Sequence, residues 1–317
     1  MRIVELVSNG ARVRIAPELG GAITDFSLRG EPVLRPTRAD AIAARDVGAS
    51  ACYPLVPYSN RIADARLRFD GREFALARNF GAHPHAIHGV GWQRAWSVAD
   101  ASRLHARLAL DHDARSDAAS WPWSFQATQS FRLTDVAPAD GDTAALLAVT
   151  LTIVNAGGTP FPFGLGWHPY FPKDPTTRLG FRADGVWVND ATLLPLRHET
   201  VPSEWRFDPP CALGDVTLDN VFTGWRGSAR IETPSRGMTV TLAADRACSC
   251  LVVYAPPGRD FAAIEPVTHE TDAFNRAATG ASGTGMRILP PGAAFSCTMR
   301  IAAAAVTGPA SPGNLAR

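Results

Sequence analysis

Apolar residues in this chain recur at alternate positions in short runs, and Gly or Pro breaks the runs about every ten residues. The clearest run is ARLRFDGREFAL, residues 65–76, where Asp70-Gly71 suits the two positive-φ positions of a type I′ turn. That turn sets Phe69 against Arg72 and Leu67 against Phe74. Ala65, Leu67, Phe69, Phe74 and Leu76 then share one face, while Arg68 and Glu73 pair on the other. Further strands are predicted in SFQATQSFRLT (124–134), LLAVTLTIV (146–154), SARIETP (228–234), MTVTLAA (238–244), SCLVVYA (249–255) and FSCTMRIAA (295–303), with PSRG (234–237) as a turn. The segments that suit helices, Ala39–Val47 and Asp272–Ala278, are short and do not alternate regularly with strands, which disfavours a parallel βαβ sheet. The expected fold is all-β, a large β-sandwich spanning residues 1–305, followed by a loosely ordered tail at 306–317.

Composition narrows the functional classes. The 317 residues are 46% hydrophobic and include 27 glycines and 25 prolines, which suits a sizeable core cut by many turns. Thirty-one basic residues balance thirty acidic ones and are spread along the chain, so nucleic acid and anionic membrane partners are not expected. Lys173 is the single lysine and sits between Pro172 and Asp174, a poor setting for Schiff-base chemistry. The five cysteines, Cys52, Cys211, Cys248, Cys250 and Cys297, form no CxxC pair and read as reduced and mostly buried. The amino terminus MRIVELVSNG lacks signal-peptide character, and AALLAVTLTIV is too short to cross a bilayer as a helix, so a cytoplasmic location is expected.

Nucleotide and serine-nucleophile motifs are missing: the chain has no GxSxG, no GxxxxGK[ST] and no HExxH. Four polar islands lie instead in apolar or glycine-rich surroundings. YSNRI holds Asn60 and Arg61, whose planar donors suit sugar oxygens. HPHAIHGVGW holds His83, His85 and His88 ahead of Trp92. No carboxylate or cysteine accompanies these histidines, and Pro84, Gly89 and Gly91 imply a loop rather than a metal site. GWHPYF places His168 among aromatics, where an imidazole of near-neutral pKa suits a general acid. IEPVTH places Glu265 at the end of an apolar run, where partial desolvation raises its basicity. Trp92, Trp96, Trp167 and Trp225 read as core rather than as sugar-stacking faces.

Taken in order, NRIADARLRFDG, HAIHGVGW, GWHPYF, LDNVFTGW and AIEPVTHETDAFN resemble the aldose 1-epimerase (galactose mutarotase) family from about residue 53 to residue 300. The resemblance implies a large antiparallel β-sandwich with a sugar cleft on one sheet. It implies Glu265 as general base and His168 as general acid, with Arg61, His88 and Asp219 holding the sugar and Asn60 and Trp92 as neighbours. No cofactor or metal is implied, and the partner is a small-molecule sugar bound by a monomer or homodimer. Galactose-acting members carry a Gly-Arg pair shortly before Asn-Arg-Ile, where this chain has Val56-Pro57-Tyr58-Ser59, so the preferred sugar stays open. Three rival functions fit the same residues. A hexose-6-phosphate 1-epimerase would need converging arginines. A glycoside hydrolase would cast Asp219 and Glu265 as its two carboxylates. A non-catalytic carbohydrate-binding sandwich would need neither His168 nor Glu265.

Overall fold

The computed structural model describes residues 1–136, 143–214 and 216–305. Two large antiparallel sheets dominate it, one of eleven strands and one of nine. Each run that alternates in sequence is a strand, with bounds Phe125–Val136, Thr143–Asn155, Ser228–Thr233, Met238–Ala244, Cys250–Ala255 and Ala294–Ala305. In Leu146–Val154 every second side chain is buried, as expected where one sheet face meets the core and the other is more open. Pro234–Arg236 makes a single tight turn closed by Gly237 in the left-handed region. The helical segments shrink to Ala39–Ala43 and Ala273–Ala278. Among the described residues no helix is long and apolar enough to cross a membrane. The tail assigned to 306–317 lies outside the described residues.

The hairpin at 66–75 follows its sequence. Asp70 and Gly71 both take positive φ, at 51° and 69°. Leu67 pairs with Phe74 and Arg68 with Glu73, and Leu67 is fully buried. The Arg68 Nε to Glu73 Oε2 contact of 3.2 Å is exposed on both sides and contributes little, about 1 kcal/mol at most. Burial of Leu67 fixes the register, because a one-residue slip would turn it to water.

The main core lies between the sheets. It takes Phe26, Trp167, Leu251, Val253 and Ile264 from the larger sheet and Phe131, Leu147, Val149, Leu242 and Ile301 from the smaller. A second apolar cluster covers the opposite face of the larger sheet, where Tyr53, Leu55, Tyr170, Val221, Val252, Ala263 and Val267 meet Ile87 from the two-residue strand Ala86–Ile87 and Trp92 from the short turn after it. The strands Cys52–Leu55, Gly166–Pro172, Cys250–Ala255 and Phe261–Val267 are therefore buried on both faces. That double burial explains why they read as near-continuous apolar runs rather than as alternation. It also makes any ionisable group on their loop-covered face costly unless it is paired. Trp96, Trp167 and Trp225 belong to the main core and Trp92 to the second cluster. All five cysteines are free, and Cys211 alone is only partly buried. In the smaller sheet, Ala294–Ala305 lies between Thr143–Asn155 and Met238–Ala244 and pairs with both.

Candidate active site

Strand register assembles the site on the loop-covered face of the larger sheet. Gly166 pairs with Val267 and Tyr170 with Ala263, so His168 and Glu265 stand abreast between them. Tyr53 is the partner of His168 on one side, and Val252 is the partner of Glu265 on the other. Val221 follows opposite Val252, and Asp219 lies opposite Tyr254. Side chains at alternate positions share a face, so one row across the sheet reads Tyr53, His168, Glu265, Val252, Val221.

His168 Nε2 and Glu265 Oε1 are 3.1 Å apart, with both residues almost entirely buried, at 6% and 2% exposure. Two phenol rings pack against the imidazole, with centroids 4.7 Å from it for Tyr53 and 4.5 Å for Tyr170, and 6.3 Å from each other. Arg35 caps this stack, its guanidinium 3.9 Å from the Tyr170 ring and 4.3 Å from Phe261, and it donates to the carbonyls of Gly48 and Ser50. Burial pushes the Glu265 carboxyl well above its usual range; Asp219 adds to this and Arg61 opposes it. Burial, with the Arg35 and Arg61 cations, pushes His168 down to about 3. Both shifts favour the uncharged forms, a protonated carboxyl beside a neutral imidazole, with one proton between them. Glu265 Oε2 is buried without a partner among the described residues.

Loops bring the remaining groups. Arg61 Nη2 donates to Asp219 Oδ2 at 3.1 Å, and Arg61 Nη1 donates to Asn60 Oδ1 at 3.0 Å. His88 meets His168 edge to face, with ring centroids 5.4 Å apart. The Asn60 N–H donates to His88 Nδ1 at 3.0 Å, so in the neutral ring the proton is on Nε2 and available as a donor. Asn60 and His88 both adopt positive φ, near 60°, and the His88 N–H donates to Asn60 O. Gly89 continues the left-handed turn at φ 69°, where an added Cβ would lie 2.4 Å from Val56 O. Asn79 zips this loop together, donating to the carbonyls of Ile87 and Gly89 and accepting from the Ile87 N–H. His83 and His85 do other work: His85 Nδ1 accepts from the Asp64 N–H, and His83 packs edge-on against it.

The structure thus brings Arg61, His88, His168, Asp219 and Glu265 together. Asn60 acts on Arg61 and His88, and Trp92 stacks on Tyr53 while its N–H donates to Gly89 O. Sequence reasoning missed the brace behind Arg61. His269 Nε2 accepts from the Ser59 N–H and its Nδ1 donates to Glu270 O. Asp272 accepts from the Ala63 N–H and its own N–H donates to Arg61 O. Asn275 accepts from the Arg68 N–H and donates to Arg66 O. The polar segment THETDAFN after the Glu265 strand was the available signal. A cavity of about 580 Å³ lined by Arg182, Trp205, Arg206, Phe207 and Arg226 shares no residue with this constellation.

The model of the family described as aldose 1-epimerase matches residues 2–302. The uncharacterized protein YphB of Escherichia coli (strain K12) is 30% identical over 303 residues, covering 93% of this chain and 97% of that protein. A crystal structure of a proposed aldose 1-epimerase from Escherichia coli K12 superposes with a TM-score of 0.84 at 29% identity, covering 96% of this chain and 99% of that one. A galactose mutarotase-like protein from Clostridium acetobutylicum shares the fold at 18% identity, with a TM-score of 0.79 and 95% coverage of each chain. With its family match spanning nearly every residue and its sheets arranged as in these structures, the chain belongs to the aldose 1-epimerase family.

Proposed function

We propose that the protein is an aldose 1-epimerase that interconverts the α and β anomers of a free aldohexose, with Glu265 as base and His168 as acid. The observation that carries this reading is the buried His168–Glu265 contact of 3.1 Å, with Arg61 and His88 converging on it. The anomeric hydroxyl and the ring oxygen are bonded to the same carbon, so two groups this close can reach both.

Opening the ring needs a proton to leave the anomeric hydroxyl while another reaches the ring oxygen. With the shared proton on His168, Glu265 takes the hydroxyl proton and the imidazolium protonates the ring oxygen. The ring carbon–oxygen bond breaks and a free aldehyde forms. After this step the carboxyl is protonated and the imidazole neutral, the distribution that burial favours in the empty site. The aldehyde turns about its bond to the next carbon. His168 then recovers its proton from the attacking hydroxyl as Glu265 returns its own to the aldehyde oxygen, giving the other anomer. The unpartnered Glu265 Oε2 suits the incoming anomeric hydroxyl, a donor. The His88 Nε2–H and the Arg61 guanidinium supply donors for other sugar oxygens.

Three cations near the site are already engaged and do not favour a phosphorylated sugar. Arg61 is paired with Asp219, Arg276 with Glu270, and Arg35 with backbone carbonyls. The test is the rate at which freshly dissolved α-glucose and α-galactose lose optical rotation. Wild type is expected to accelerate it, and Glu265→Gln and His168→Asn to lose about 10²- to 10⁴-fold each. Equal rates for wild type and both variants would sink the acid–base assignment.

A further inference from the structure

The strand Gly185–Asn189 borders Asp219 at the far side of the site. Its ladder to Leu218–Thr223 consists of two pairs, Gly185 with Thr223 and Val186 with Phe222. Beyond them side-chain amides take over. Asn220 Nδ2 donates to Trp187 O at 2.9 Å, and Asn189 Nδ2 donates to Asp219 O at 2.6 Å. The second bond fixes the Asn189 amide, with its NH₂ on the neighbouring backbone and its Oδ1 buried without a partner among the described residues. Two positions earlier on the same face, Trp187 buries an Nε1–H that is also unpartnered, with the Arg276 guanidinium 4.0 Å from its ring centroid.

Buried polar atoms in folded proteins are nearly always paired, so orphans of opposite type on one strand need an explanation. Continuing the register, Trp187 stands beside Val221 and Asn189 beside Asp219, which extends the row that begins at Tyr53. A hydroxyl group suits both orphans, because it donates one hydrogen bond and accepts others. A phosphoryl dianion does not, since it has no hydrogen for Asn189 Oδ1.

We propose that Asn189, with Trp187, is a specificity-determining contact that takes a sugar hydroxyl remote from the anomeric carbon. This rests on the epimerase reading. Val252 and Val221 separate Glu265 from Trp187 along the row. Three strand spacings make this roughly 14 Å between backbones. With the anomeric centre at Glu265, the part of the ring that faces Asn189 is the far side, and the two valines leave a low apolar floor beneath it.

The test follows mutarotation of α-glucose and α-galactose, and of their analogues deoxygenated at C3, C4 or C6, with wild type, Asn189→Ala and Trp187→Phe. The phenylalanine keeps a ring under Arg276, leaves the Asn189 tie intact and removes the N–H. Each variant is expected to raise KM by roughly five- to tenfold with kcat within about twofold. That penalty should vanish for one deoxy analogue, the same one in both variants. A penalty equal across the analogues, or none, overturns the proposal and leaves Asn189 as a tie between strands, visible as a lower Tm alone. Wild type inactive on every sugar would instead remove the epimerase reading, and this inference with it.

Discussion

Burial holds three imidazoles neutral around the site: His88 well below its usual pKa, His168 at about 3 and His269 at about 4. Between these values and about 6.5 the unfolded chain binds protons that the folded one refuses. The stability from each is therefore full above about 6.5 and falls with pH, by about 1.4 kcal/mol per unit for each group. Glu265 and Asp272 act the other way. Burial raises both, Asp272 to about 6, so they oppose folding at neutral pH, and the opposition lifts as pH falls toward the unfolded carboxyl values near about 4. His269 separates most cleanly, because it holds a loop rather than the reacting groups. His269→Gln keeps an acceptor for the Ser59 N–H and is expected to lower the slope of unfolding free energy against pH by about one proton between about pH 4.5 and 6. Urea titrations at several pH values measure it, and an unchanged slope would mean that His269 is already charged in the fold. At this scale the sequence was legible where a polar residue interrupts an apolar run, as at His168 and Glu265. It was silent at Asn189 and at Arg35, whose contacts are made with strands and loops distant in sequence. The Arg61–Asp219 pair joins positions 158 residues apart, beyond any spacing argument.

At the scale of elements, the short helix Ala273–Ala278 and the turn before it tie the Glu265 strand to the segment that carries Arg61. Asn275 bonds Arg66 O and the Arg68 N–H, continuing a backbone pairing that no strand supplies. Asn275→Ala leaves both backbone groups without this partner and is expected to cost about 2–3 kcal/mol of stability. It should also raise KM for the sugar by loosening Arg61. Denaturant unfolding and polarimetry separate the two effects, and lost stability with unaltered KM would show that the brace does not position the arginine. The long strands were legible because alternation survives wherever one face is less buried, as in Thr143–Asn155. The two-residue strands Arg61–Ile62 and Ala86–Ile87, which carry the site loops, are too short to have a period. Alternation also fixes which face a residue occupies and not which strand lies beside it, so the row from Tyr53 to Trp187, and the place of Asn189 beside Asp219, emerge only from the register.

For the whole molecule, the sandwich is built from pairings distant in sequence. Ala294–Ala305 occupies the middle of the smaller sheet, where Leu151 pairs with Cys297 and Leu242 with Ile301. Its inward residues Cys297, Met299, Ile301 and Ala303 are all in the main core. A chain ending at residue 293 is therefore expected to lose cooperative unfolding and to aggregate, as circular dichroism and size-exclusion chromatography would reveal. A compact, cooperatively folding product would show that the strand is dispensable. The same placement bears on synthesis. At about 5–20 residues per second, the stretch from residue 155 to residue 294 keeps a ribosome busy for roughly 7 to 30 seconds. Throughout that time Thr143–Asn155 has one long edge with no partner, and Met238–Ala244 later joins it in the same condition. Unpaired edges recruit other strands, so neighbouring chains on one polysome compete for the gap that residues 294–305 are meant to fill. The rate of translation through residues 155–294, or a chaperone that shields these edges, would govern how much of the protein reaches its native sheet.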